Sequence, residues 1–193
     1  MFDLEEALRE LSRYNSYITD IRREVMLFEQ LYCSKGSLAI INANLMDVFK
    51  IVQRSMFVSI LTRVSAVFDS KSFGSDPNLS LDYFEDKYRE FAPEKLLNDF
   101  EAIKGRYKAM NIKNFRNKLI AHNDQKTIFG ESSITHSIEN GDLMKLLNDA
   151  RGFCIDLCYC LPGGIQTVLE VVPWELKKDH DGLELLRRME AGK

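Results

Sequence analysis

The feature that most constrains this chain is the spacing of its apolar residues between 4 and 31, LEEALRELSRYNSYITDIRREVMLFEQL. Apolar groups fall at 4, 8, 11, 14, 18, 21, 25 and 28, in steps of three and four, which is the single stripe of an amphipathic α-helix. Gly36 and Ser37 interrupt the pattern, and it resumes through Leu38, Ile41, Leu45, Val48, Val52, Met56, Ile60, Val64 and Phe68. A second stripe, Ile40, Phe49, Phe57 and Leu61, makes 38–68 apolar over a wide arc. That pattern predicts a central helix about 45 to 50 Å long.

The segment 70–81, with Gly74 and Pro77, reads as the clearest loop. Ser80 then caps a short helix to Tyr88, and Pro93 suits the start of another carrying Leu96, Phe100, Ile103, Tyr107 and Met110. After a slight shift of phase, that helix continues through Phe115 and Leu119. A polar stretch, 123–141, contains a loose hairpin candidate. Periodicity returns from Asp142 to Leu161 and stops at Pro162, Gly163 and Gly164. The stretch IQTVLEVV reads equally as strand or helix end, Trp174 is expected to pack the tail, and GLELLRRME predicts a short terminal helix.

Four long amphipathic segments without βαβ alternation predict an all-α fold: an antiparallel helical bundle of four to five main helices spanning 1–165. A C-terminal tail, 166–193, is expected to pack on it. At 193 residues, 45% hydrophobic and 28% charged, one core is expected. The beginning of the chain is charged from its third residue and lacks a signal-peptide core, and no run of about eighteen apolar residues occurs. The expectation is a cytoplasmic protein with no membrane partner. Cys33, Cys154, Cys158 and Cys160 do not make a disulfide framework, and their spacing lacks a tetrahedral metal set, so they read as reduced thiols.

Charge is concentrated. Between 102 and 126 lie Lys104, Arg106, Lys108, Lys113, Arg116, Lys118 and Lys126 against one acid, Asp124, a net +6 in a chain whose total is −3. The remainder therefore carries −9, a polarity suited to meeting a polyanion with one face. Inside this window stands NFRNKLIAHND, with one of only three histidines. Imidazole exchanges a proton near neutrality, and guanidinium offers a planar fork to phosphate oxygens; together they suffice for phosphodiester cleavage of RNA without a metal. Six positions on an ideal helix leave Arg116 and His122 about 120° apart. Three geometries answer this: a helix that loosens near Ala121, an arginine that wraps round, or a two-fold axis that brings in a second subunit. Arg63 and Asp69 bracket the end of the 38–68 helix, as dimer ion pairs, as a brace for the motif helix, or as ordinary surface charges. His136 and His180 are read as solvent-exposed.

FRNKLIAHND resembles the signature of the HEPN superfamily, small all-α domains in which an Arg followed by a polar residue precedes a His. Arg116, Asn117 and His122 match, with five residues between Arg and His. Together with LTRVSAVFDS and NLSL upstream, the order looks like the abortive-infection, AbiU-type branch, over roughly 10–165. The resemblance implies a homodimeric, metal-independent endoribonuclease, giving 2′,3′-cyclic phosphate ends and acting as a toxin or antiphage effector. Arg116 and His122 would be catalytic, with Asn117 and Asp124 supporting and Lys113, Lys118 and Lys126 binding RNA. It implies no cofactor and no metal, and an antitoxin protein as a further partner. Asp124 stands where toxins silenced by nucleotide-transferring antitoxins often carry Tyr, which argues against that modification; Asp124 instead caps the helix or orients the imidazole. The alternative is a noncatalytic HEPN module that binds nucleotide, RNA or protein.

Overall fold

A computed structural model of the chain describes residues 2–121, 136–164 and 175–192. Helix α1, Leu4–Tyr32, starts where Asp3 Oδ1 accepts from the backbone N–H groups of Glu5 and Glu6, satisfying donors that a helix start leaves free. Its stripe buries Ala7, Leu11, Tyr14, Ile18, Ile21 and Val25. The opposing stripe comes from α7, Asp142–Cys160, through Leu143, Leu146, Leu147, Ala150, Phe153, Cys154, Leu157 and Cys158. These two helices form the most extensive pair among the described residues, and α1, rather than the 38–68 segment, is the central element.

That segment differs from its expected form in two ways. It is divided: α2, Lys35–Asn44, is capped by Ser34, and α3, Met46–Val67, begins after Leu45, whose backbone (φ −128°, ψ 54°) is not helical. At 22 residues α3 is about 33 Å long. The first half of α3 is also not buried. Leu45, Val48 and Ile51 are 57%, 54% and 70% exposed, whereas Ile60, Leu61, Val64 and Val67 sit in the core. A wide apolar arc predicts burial only where other elements arrive to cover it: in this half Phe49 packs against the cluster of Leu31, Tyr32 and Ile41 and its carbonyl accepts from the Tyr32 hydroxyl, while Leu45, Val48, Ile51 and Val52 stay exposed.

The 70–81 loop contains a two-residue hairpin, β1 (Ser72–Phe73) and β2 (Asp76–Pro77), antiparallel with Phe73 opposite Asp76. Gly74 supplies the positive φ of its turn. Ser80 then caps α4, Leu81–Tyr88, by accepting from the Tyr83 N–H. Helix α5, Glu94–Ala109, lies against α7. The hairpin candidate at 123–141 and the 165–174 segment with Trp174 fall mostly or wholly outside the described residues. The terminal helix α8, Gly182–Ala191, rests on α1 and α2. Leu186 joins Leu31, Tyr32 and Ile41 in a small cluster there, and Gln30 bonds both Gly182 N–H and Asp181.

The fold is all-α: eight α-helices around one main apolar cluster, with the two-residue strands as its only sheet among the described residues. None of these helices is long and apolar enough to cross a membrane.

Candidate functional site

The helix expected to run from 93 to the end of the motif is three pieces. α5 ends at Ala109, and Asn111 takes a left-handed conformation (φ 56°, ψ 24°), the one such non-glycine among the described residues. Asn tolerates this region better than most residues. The chain then restarts as α6, Ile112–Phe115, and widens into a π-wound segment, Arg116–Ala121. The apparent phase shift at Phe115 is this break. π-winding replaces i→i+4 bonds by i→i+5 bonds and is met mostly as short insertions at functional sites.

Arg116 opens the π segment. Its Nε and Nη2 donate to Asn117 Oδ1 at 3.1 and 2.9 Å. Its Nη1 lies 3.7 Å from Asp69 Oδ1, an ion pair too long for a charge-assisted hydrogen bond. A guanidinium has five N–H groups. Two are held by Asn117; the other three have no hydrogen-bond partner among the described residues, although Nη1 faces Asp69, and the side chain is 20% exposed. Of the readings open for Asp69, the structure shows the brace on the motif arginine. Arg63 turns elsewhere, to Glu24 and over the Tyr17 ring.

Behind this pair stands Tyr107, whose hydroxyl shares a 2.8 Å hydrogen bond with Ser65 and whose ring stacks on Phe68 at 4.4 Å. Burial pushes the Tyr107 pKa up, the Ser65 bond and the Arg116 charge pull it down, and Asp69 pushes it up again. The net direction is upward, so the Tyr107 phenol near this pair is neutral. Lys113 and Lys118 are exposed on either side of Arg116. Asn117 and Lys113 also line a cavity of about 470 Å³.

His122, Asp124 and Lys126 lie outside the described residues, so the structure places Arg116, Asn117, Lys113 and Lys118 and is silent on the other three. His136 is not solvent-exposed as expected: it is half-buried, with its ring 5.0 Å from Phe115 and 5.6 Å from Phe57. Its Nδ1 accepts from the Ile138 N–H at 3.4 Å. Polar neighbours in sequence concealed an aromatic pocket assembled from α3 and α6. His180 is exposed. Cys154 and Cys158 are core residues, and burial raises both thiols above their ordinary range. No three metal-ligating side chains come together among the described residues.

The model of the HEPN_AbiU2 family, AbiU2, matches residues 46–176, about two thirds of the chain. The chain belongs to this abortive-infection HEPN family. No curated protein and no solved structure matches it. The AbiU2 match begins at the first residue of α3 and runs through α7, so it contains both partners of the Arg116–Asp69 pair and the cavity beside them. Helices α1, α2 and α8 lie outside it. The span implied by the motif resemblance, 10–165, is thus shifted: the matched region starts later and ends later.

Proposed function

We propose that this AbiU2-family protein is a metal-independent endoribonuclease acting as a toxin or antiphage effector, with its active site completed at a homodimer interface. The observation that carries the reading is the state of Arg116. Asn117 holds two N–H groups of its guanidinium and Asp69 faces Nη1, while the other three N–H groups have no hydrogen-bond partner among the described residues and can turn to phosphate oxygens.

In the proposed reaction, neutral His122 takes the proton of a ribose 2′-hydroxyl, and that oxygen forms a bond to the adjacent phosphorus. Arg116 stabilises the negative charge gathering on the nonbridging oxygens. The bond from phosphorus to the 5′-oxygen breaks, and protonated His122 of the partner subunit returns a proton to that oxygen. The products are a 2′,3′-cyclic phosphate and a 5′-hydroxyl. A two-fold axis supplies both imidazoles, which a single copy with one His122 cannot. Lys113, Lys118 and Lys126 hold flanking phosphates, and Asp124 caps the helix end or orients the imidazole.

The test is incubation of the purified full chain with RNA in chelator. The expected result is cleavage with cyclic phosphate ends, lowered at least about 100-fold in Arg116→Ala and in His122→Ala. Both variants should keep the circular dichroism of the parent. Wild-type activity in both variants overturns the site. RNA bound but left whole by the wild type returns the protein to the noncatalytic HEPN reading.

A further inference from the structure

On an uninterrupted α-helix, Lys108 and Lys113, five positions apart, would point about 140° away from each other. The left-handed turn at Asn111 removes that separation, and both line the cavity of about 470 Å³ beside the motif, together with Asn114 and Asn117. The volume is that of a small-ligand site. Phe68, Tyr107 and Ile112 give the cavity an apolar floor, and all three are buried.

Its cations differ in state. Lys104 is already neutralised by Asp82 at 2.9 Å and lies over the Phe100 ring. Lys108 and Lys113 are exposed and have no carboxylate partner among the described residues. The neutral polar groups also differ in state. Asn117 Oδ1 is occupied by Arg116, so its carboxamide has its NH2 donor left to offer, whereas Asn114 is exposed and can both donate and accept. Asn111 also lines the cavity, whose one carboxylate, Asp82, is taken up by Lys104. Two cations without a carboxylate partner among the described residues, an apolar floor and the carboxamides of Asn114 and Asn117 make a combination with a defined complement: an anionic group joined to a flat ring with a hydrogen-bonding edge.

We propose that this cavity binds one nucleotide of single-stranded RNA, with its phosphate against Lys108 and Lys113 and its base on the apolar floor, edge toward Asn114 and Asn117. The cavity thereby selects which sequences reach Arg116. Phosphate contacts position a strand and base-edge contacts specify it, and carboxamides are suited to reading the exposed edges of unpaired bases. Asn117 joins the two functions, because the same carboxamide touches the cavity and fixes the guanidinium. This inference rests on the ribonuclease reading above but concerns a cavity beside the catalytic pair.

The experiment uses the full-length His122→Ala protein, fluorescently labelled RNA decamers and the four nucleoside 3′-monophosphates as competitors. Each variant is also measured in the wild-type background by mapping cut sites. Nucleotides are expected to displace RNA at least about tenfold better than inorganic phosphate. Lys108→Gln should weaken all RNAs alike and reduce the slope of log affinity against log salt by about 0.7. Asn114→Ala should flatten the base preference at one position by about tenfold. Inorganic phosphate competing as well as nucleotides, or both variants binding and cutting like their parents, overturns the proposal. Cleavage that needs Arg116 but ignores Lys108 and Asn114 removes the cavity and leaves the ribonuclease reading standing. Nucleotide binding that needs Lys108 and Asn114, in a protein that cuts no RNA, does the reverse.

Discussion

The two halves of α3 have similar apolar content and opposite fates. Its second half, Ile60 to Val67, is locked between α1 and the motif region, and the chain leaves it at Asp69, which reaches Arg116. Its first half carries Val48, Ile51 and Val52 on the surface. One helix thus serves as core and site support at one end and as exposed apolar surface at the other. Apolar content did not separate the halves; at one end α1, α5 and α6 close over the helix, while at the other Phe49 alone of the apolar residues 45–52 is packed against α1 and α2.

The largest test of this contrast is Leu61→Ala in the buried half. Leu61 is 0% exposed, and truncating a fully buried leucine leaves a cavity costing about 2 to 5 kcal/mol, measured by denaturant unfolding. Next comes Ser65→Ala, one turn further on. It strips the Tyr107 hydroxyl of its partner inside the fold, at a cost of about 1 to 3 kcal/mol. A pH series sharpens that result. Burial favours the neutral phenol of Tyr107, so the folded protein holds this proton where the unfolded chain releases it. Its contribution to stability is complete below about pH 10 and is lost as pH rises through the raised folded value. Tyr107→Phe should therefore lessen the alkaline loss of stability, leaving the share due to Tyr14, Tyr32 and Tyr88, which burial also raises. The smallest effect belongs to the exposed half: Ile51→Ser should change monomer stability by no more than about 0.5 kcal/mol. A loss as large as that of Leu61→Ala would erase the difference between the halves.

Helix α7 was readable residue by residue and α1 at its centre, Leu11 to Val25, because a stripe at helical spacing that meets another stripe is sufficient information for burial. Leu4, Leu8 and Phe28 at the ends of the α1 stripe are only half-buried, and Ala7 is buried without having been part of it. The break at Leu45 was not, since it carries neither Gly nor Pro and interrupts a run of good periodicity; the left-handed Asn111 showed only as a slight shift of phase before Phe115. Arg116 and Asn117 were legible as chemistry, an arginine beside a carboxamide in a basic stretch. Asp69 was open between three roles, because pairing across 47 positions of sequence is decided by where α3 ends. Lys108 and Asn114 carried no signal of their own beyond charge and polarity; a change of chain direction at Asn111 gives them a shared cavity. His136 misled because its aromatic neighbours, Phe57 and Phe115, come from distant helices.

The clasp of Asn117 and Asp69 on Arg116 has a thermodynamic consequence. An arginine side chain loses about 2 kcal/mol of rotamer entropy when it is immobilised. Here the loss belongs to folding, so an arriving phosphate meets a cation that has already stopped moving. A freely rotating arginine at the same position would have to be ordered by its ligand, weakening the encounter by a factor of about thirty at 25 °C.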